Sequence, residues 1–214
     1  MKPVKYIFIP SIREARLIFD CNFELDEYGY YIGKFNDFKI IVSGVSKTNI
    51  SIVATIYFLK QKPSVAYLVG IAGCYRYSGV GIGDLVSIRY DYFVDEGMVF
   101  EDKIVFLSEM GFPVCKDNRV SFCEYEKLKI VDSNTVSFLS SSDDIARLYY
   151  EKTGASIENM EGASFGLVCS VFGVKSYHIR GVSNYCGNRN EQSWDTKKST
   201  SSLKNFFLQS NPDI

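Results

Sequence analysis

Apolar residues along this chain come in two rhythms. Unbroken runs at residues 6–10 and 65–71 read as strands buried on both faces, the second running into Ala72 and Gly73, and residues 84–94 alternate as a longer strand does. Residues 28–35 and 38–43 read as an antiparallel pair, with Asn36 and Asp37 supplying the turn. Residues 129–132 make a further short strand, and residues 175–182 another of the buried type. Between these lie stretches of helical character at residues 11–20, 48–60, 140–153, 160–172 and 199–208. In the fourth of them Met160, Ala163, Leu167, Val168, Val171 and Phe172 recur at helical spacing and are expected to face a core. Asn159 reads as its N-cap and Gly173 as its stop. Strands alternating with helices predict an α/β domain on a mixed sheet. Residues 95–126 fit neither rhythm. With Gly97, Gly111, Pro113 and many aromatics, they are expected to form an active-site cover or a subunit contact.

At 214 residues the chain is long enough for one well-buried domain, 1–214, and it shows no repeat, low-complexity tract or linker. The balance of 24 basic against 25 acidic residues, with no basic block, argues against nucleic acid as a partner. Its apolar runs are too short to cross a bilayer, and the N-terminal apolar core at residues 6–10 is broken off by charge before it reads as a signal peptide. Six cysteines (Cys21, Cys74, Cys115, Cys123, Cys169, Cys186) form no C-x-x-C pair and are expected as reduced thiols in the cytoplasm. The single histidine, His178, lies within a strand and is expected to be structural. No metal or cofactor is expected.

Packing does not ask for Glu161 at the head of an apolar helix, nor for Arg180 and Asn184 where the next strand runs out. Polar groups at the carboxyl end of a strand sit where α/β folds place their ligands. Each has a plainer reading: Glu161 complements a helix dipole, and Asn184 serves as a turn residue before Gly187. Met-Glu-Gly-Ala followed about twenty residues later by Arg-x-x-Ser-Asn is the rarer combination. The glycine clusters are less specific. Gly44-Val45-Ser46-Lys47-Thr48 lacks the G-x-x-x-x-G-K spacing of a nucleoside triphosphatase loop, and the segment from Gly79 to Gly83 leads into a strand, so it is no dinucleotide fingerprint.

These segments, in this order, resemble the purine nucleoside hydrolase and phosphorylase family, which includes the methylthioadenosine nucleosidases. Asn-Met-Glu-Gly-Ala followed by Ser-Asn-Tyr is most similar to its futalosine-hydrolysing branch. Ser43-Gly44-Val45-Ser46-Lys47-Thr48-Asn49 resembles the family's S-G-x-G-K-x-N loop, with Ser46 in place of a glycine. Gly70-Ile71-Ala72-Gly73 resembles its G-x-A-G turn, Gly83-Asp84-Leu85-Val86 the strand after it, and Glu14 stands at its first-loop glutamate. Cys74 departs from the glycine common at that position. The resemblance runs from Glu14 to Trp194 and implies a single-domain three-layer sandwich around a mixed central sheet. It further implies that Met160 and Glu161 bind ribose, that backbone at Ala72 and Gly73 lies by the sugar, and that Glu14 deprotonates the attacking water beside Arg180. Backbone around Thr135 and Val136 would read the purine edge. Homodimers or larger homo-oligomers are usual in the family.

Asn184 discriminates between substrates. Methylthioadenosine nucleosidases carry Asp there, which accepts from a 6-amino group. A 6-oxopurine presents acceptors at both N7 and O6, and an amide NH2 donates to both where a carboxylate does not. The implied reaction is hydrolysis of a 6-oxopurine nucleoside with a bulky 5′ extension. Phosphorolysis is an alternative, with Arg13, Arg76 and Arg180 as candidate phosphate donors, although Glu14 would repel phosphate while suiting water. Methylthioadenosine or adenosylhomocysteine cleavage is another, and a non-catalytic nucleoside-binding protein on the same fold is a reading from a different class. Arg76, Arg189, Trp194 and the aromatics of residues 91–112 are all open as the group that meets the 5′ extension.

Overall fold

In β1 (Lys5–Ile9), Tyr6 and Phe8 join one buried apolar cluster, Ile7 and Ile9 another. A strand apolar on both faces belongs inside a sheet covered by helices on each side. The computed structural model describes residues 3–209; the outermost residues of the expected 1–214 unit lie outside the described residues. After β1 come α1 (Ile12–Ile18), β2 (Phe23–Leu25), β3 (Tyr31–Phe35), β4 (Phe38–Val42), α2 (Lys47–Lys60), β5 (Val65–Cys74) and β6 (Leu85–Phe93). The chain continues through β7 (Gly97–Phe100), β8 (Lys103–Phe106), β9 (Arg119–Ser121), β10 (Lys129–Thr135) and α3 (Asp143–Thr153). It closes with β11 (Ile157–Asn159), α4 (Gly162–Phe172), β12 (Lys175–Tyr185) and α5 (Thr196–Gln209).

Ten strands form one mixed sheet in the order β11-β10-β6-β12-β5-β1-β4-β3-β2, with β9 on β6. The β7–β8 hairpin stands apart. Helices α2 and α4 cover one face over Tyr6, Phe8 and Leu68; α1 and α5 cover the other over Ile7, Ile9, Tyr67 and Ile179. This is the three-layer α/β architecture expected. β5 runs parallel to β12 along its length, and its last residues pair antiparallel with β11, Gly73 opposite Glu158 and Cys74 opposite Ile157. Because β11 also pairs β10, that half of the sheet curls and closes on itself. The closure gathers the carboxyl ends of β5 and β12 with the loop ahead of α4.

Several local expectations are corrected. Asn159 is not the N-cap of α4 but the last residue of β11; Glu161 holds the cap position. Asn159 Oδ1 nonetheless accepts from the N–H groups of Glu161 (2.9 Å) and Gly162 (2.7 Å), performing a cap's duty from a strand. Met160 therefore precedes the helix, and Val171 is 76 % exposed. In a helix apolar nearly all round, spacing does not choose the inner face, and Ala163, Phe165 and Cys169 take it. The helix ends as expected at Gly173, in the left-handed region at φ 60°. Residues 95–126 contain the β7–β8 hairpin and β9. All four residues of β7 are exposed, so no inward-outward alternation marked it. β10 extends beyond the expected 129–132 because Ser133, Asn134 and Thr135 are buried with their polar groups bonded. Among the described residues no helix is long and apolar enough to cross a membrane.

Candidate active site

Ser11 caps α1, accepting from the Glu14 N–H at 3.2 Å. In a Ser-x-x-Glu capping box the glutamate usually accepts from the backbone N–H of the cap residue. Here the Glu14 carboxylate instead accepts from Ser11 Oγ (2.5 Å) and reaches across to the Ile71 N–H (2.9 Å) at the end of β5. Burial, the largest influence, raises its pKa above the usual carboxylate range; these two donors and Arg180 oppose that, and Glu161 adds to it. Gly70 makes the approach feasible. A Cβ there would lie 2.7 Å from Arg180 Nη1 and 3.1 Å from Glu14 Oε1, so any other residue would push one of them away.

Arg180, on β12, is 1 % exposed. A guanidinium so deep needs partners for its charge and its N–H groups. Nη2 donates to Glu161 Oε2 (2.9 Å) and Asn159 Oδ1 (3.2 Å), Nη1 to the Ile71 carbonyl (3.0 Å) and Nε to His178 Nε2 (2.7 Å). The other oxygen of Glu161 accepts from the Ser46 N–H at 3.2 Å. Ser46 holds φ 119°, in the range that favours glycine, which accounts for the glycine usual at this position in the resembling loop. Lys47 anchors the loop, its Nζ 2.7 Å from Asp95 and 2.6 Å from Glu96.

These groups surround a cavity of about 200 Å³. Of the site residues expected from sequence, Glu14, Ala72, Gly73, Met160, Glu161 and Arg180 line it. Asn184 stands just behind the wall: its Nδ2 would lie 3.1 Å from a Cβ on Gly73. Ser183 Oγ donates to Asn184 Oδ1 at 2.8 Å, which leaves the NH2 as the amide's donor end, now 3.2 Å from the Tyr185 carbonyl.

Thr135 and Val136 do not line the cavity. Thr135 Oγ1 donates to Asp91 Oδ1 (2.7 Å) and accepts from the Ala163 N–H (2.8 Å), while Val136 is packed with Val94, Ile104 and Phe106. The segment does reach the cavity, but at Leu139, beside the exposed Phe138. The apolar pair Phe138-Leu139 after a polar run was the available signal.

Sequence reasoning also missed Glu158, Val45 and Pro10 on the wall, and it left Trp194, which lines the cavity, as one of several options. Glu158 is 3 % exposed; its carboxylate accepts from the Ser140 N–H (3.0 Å), Ser140 Oγ (2.6 Å) and Tyr75 OH (3.3 Å), and burial raises its pKa. Arg76 does not line this cavity; it packs over the Tyr185 ring at 5.5 Å, and Arg189 over Trp194 at 5.4 Å. Among the described residues no cluster of His, Cys, Asp and Glu is arranged to hold a metal, and all six cysteines are free.

The cavity lies at the carboxyl ends of parallel strands, where α/β enzymes bind small molecules, and three carboxylates (Glu14, Glu158 and Glu161) and an arginine stand on its wall. The family described as the Phosphorylase superfamily matches residues 22–209, and the chain belongs to it. A futalosine hydrolase of Thermus thermophilus is 28 % identical over 184 residues, 79 % of each chain. A 5′-methylthioadenosine/S-adenosylhomocysteine nucleosidase of Exiguobacterium is 25 % identical over 197 residues, 84 % of this chain and 82 % of the other. In structure, the native futalosine hydrolase of Helicobacter pylori superposes with a TM-score of 0.75 at 19 % identity, covering 96 % of both chains. These relatives are nucleosidases, and the homology supports an N-glycosidic nucleoside hydrolase.

Proposed function

We propose that this protein hydrolyses the N-glycosidic bond of futalosine, a 6-oxopurine nucleoside, to hypoxanthine and dehypoxanthine futalosine in menaquinone biosynthesis. The observation that carries the reading is the placement of Glu14 and Glu161 on one cavity wall with Arg180 close to both. Glu161 accepts from the ribose 2′- and 3′-hydroxyls and favours positive charge on the sugar as the bond to the base lengthens. Met160 supplies an apolar surface under the ring. A water held by Glu14 adds to C1′ as Glu14 takes its proton, and the electron pair of the C1′–N9 bond passes to the base. Asn184 NH2 donates to N7 and O6, which stabilises the departing purine by hydrogen bonding and not by proton transfer. Backbone at Leu139, where the segment reaches the cavity, takes the part first assigned to Thr135 and Val136.

Glu14 at the nucleophile position suits water and repels a phosphate dianion, which disfavours phosphorolysis. Asn184 disfavours a 6-amino purine such as methylthioadenosine. We further read the chain as a cytoplasmic homodimer or larger homo-oligomer, a reading supported by the exposed Met98, Val99 and Phe100 of β7. The deciding experiment incubates the pure protein with futalosine, inosine and methylthioadenosine, with and without phosphate, and identifies the products. Free hypoxanthine from futalosine, independent of phosphate, is expected. A sugar 1-phosphate product would replace this reading with phosphorolysis, and adenine release from methylthioadenosine alone would replace the substrate.

A further inference from the structure

Behind Arg180, away from the cavity, lies a second buried carboxylate that the reaction itself does not use. Asp91, on β6, is 0 % exposed. Its Oδ1 accepts from Thr135 Oγ1 (2.7 Å) and its Oδ2 from Asn159 Nδ2 (2.9 Å). Oδ2 also lies 3.3 Å from His178 Nδ1, close but off the line of a good hydrogen bond. The imidazole, also 0 % exposed, accepts the Arg180 Nε–H at its other nitrogen, at 2.7 Å. Since an arginine Nε only donates, His178 Nε2 must carry a lone pair. A neutral ring then has its proton on Nδ1, facing Asp91.

We infer that Asp91 and His178 are positioning residues which, acting through Arg180 and Asn159, hold Glu161 in place for ribose recognition. The inference rests on the reading of Glu161 as the ribose ligand given above. Two routes run from Asp91 to Glu161. One passes through His178 to Arg180 Nε and on through Nη2 to Glu161 Oε2. The other passes through Asn159, whose Nδ2 donates to Asp91 and whose Oδ1 accepts from the Glu161 backbone N–H and from Arg180 Nη2. The imidazole between Asp91 and Arg180 has a further consequence. A carboxylate at Nε would neutralise the guanidinium directly, whereas a neutral acceptor fixes its orientation and leaves its charge for the carboxylates on the cavity side. Burial pushes the His178 pKa down to about 4, with Arg180 lowering it and Asp91 opposing, so the ring stays neutral over the ordinary working range. The fit is close: a Cβ on Gly162 would lie 2.0 Å from Asp91 Oδ2 and 2.4 Å from His178 Cε1.

His178 is the single histidine of the chain, so labelling histidine with ¹⁵N gives one pair of ring signals that needs no assignment. The intact protein is expected to show a neutral ring protonated at Nδ1 and unprotonated at Nε2 from pH 5.5 to 8 (about one unit or more above the folded pKa). An Nε2-protonated or doubly protonated ring across that range would overturn the proposal without reference to any substrate. The functional arm compares futalosine with its 2′-deoxy analogue in wild type, Glu161→Gln, His178→Gln and His178→Leu.

The leucine variant removes the acceptor of an ionic hydrogen bond and is expected to lower kcat/KM on the ribonucleoside by about tenfold or more, with a smaller loss on the deoxy compound. Glutamine restores an acceptor and is expected to recover much of that discrimination. If the leucine variant does not fold, the glutamine variant must keep the ribo-to-deoxy ratio near the wild-type value, and a collapse of that ratio in a folded glutamine variant counts against the proposal. Losses of rate and thermal stability with an unchanged ratio in both variants would make His178 merely structural and overturn it. If Glu161→Gln itself leaves the ratio unmoved, the ribose reading has failed, and the positioning proposal fails with it even where the ring signals are as expected. If wild type releases no hypoxanthine from futalosine, the substrate reading has failed, and the ring signals still decide whether the Asp91–His178–Arg180 arrangement exists.

Discussion

Glu161 Oε2 and Arg180 Nη2 meet at 2.9 Å in a pair that is almost wholly buried, yet both residues line the cavity. A pair so placed is poor evidence of stability, since desolvation offsets much of its attraction. Its geometry has a functional use. The arginine holds one oxygen of the carboxylate and the Ser46 N–H the other, so Glu161 is oriented before any sugar arrives.

Replacing Glu161 by Gln is expected to weaken ribose recognition and slow bond cleavage together, because the lost charge acts on both hydroxyls and on the developing cation. The check is the ratio of kcat/KM for ribo- and 2′-deoxyribonucleoside in both proteins. An unchanged ratio would remove Glu161 as the ribose ligand.

Glu14→Gln is expected to keep much of its affinity for substrate while losing turnover by roughly 10²–10⁴-fold, the usual contribution of a positioned base. The amide preserves shape and accepts from Ile71, but takes no proton. In the wild type the base must be ionised, and its pKa is raised by burial. Activity should therefore fall on the acid side as pH drops through a value above the ordinary carboxylate range. A pH–rate profile flat down to that ordinary range, or near-normal hypoxanthine release by the pure variant, would exclude Glu14 from the role.

Asn184 is expected to make the wild type cleave futalosine and largely ignore its 6-amino counterpart, aminofutalosine, by roughly 10⁴-fold, because a 6-amino donor would oppose the amide NH2. Asn184→Asp should lower futalosine cleavage and raise the relative rate on the amino compound. Ser183 favours the outcome, since its hydroxyl already donates to the oxygen that Asp would retain. The two kcat/KM ratios decide it; a wild-type preference for the amino compound would sink the substrate assignment.

Gly162→Ala is expected to destabilise the fold by about 1–3 kcal/mol, the typical cost of forcing a methyl into a packed site. The new Cβ would overlap Asp91 Oδ2 and His178 Cε1. Chemical denaturation measures the loss. A variant as stable as wild type would mean that the head of α4 moves aside freely.

Glu161, Arg180 and Asn184 stood out before the structure because each is the odd member of its segment, whereas Glu14 was singled out only by the family resemblance. Glu161 follows a strand and opens an apolar helix, and Arg180 and Asn184 interrupt the end of a buried strand. Thr135 and Val136 misled for the opposite reason. Ser133, Asn134 and Thr135 are polar and follow a strand, but they continue it, buried and bonded inward, and the chain reaches the cavity only at Leu139. Spacing along one segment does not reveal where a strand stops when buried polar partners let it go on.

The sequence by itself determined the alternation of strands and helices, the two-faced burial of β1, β5 and β12, the helix stop at Gly173 and the chemistry available at Glu14, Glu161, Arg180 and Asn184. Periodicity and side-chain chemistry are local properties and survive without a fold. Tertiary structure decided which of these groups meet. Closure of β11 onto β5 sets Glu158 opposite Gly73, and Gly70 leaves room for Glu14 to approach Arg180. Burial in the folded core, beside an Asp91 distant in sequence, leaves His178 neutral, with Nε2 accepting from Arg180. Contacts between distant segments depend on sheet order and register, and these follow from how the whole core packs.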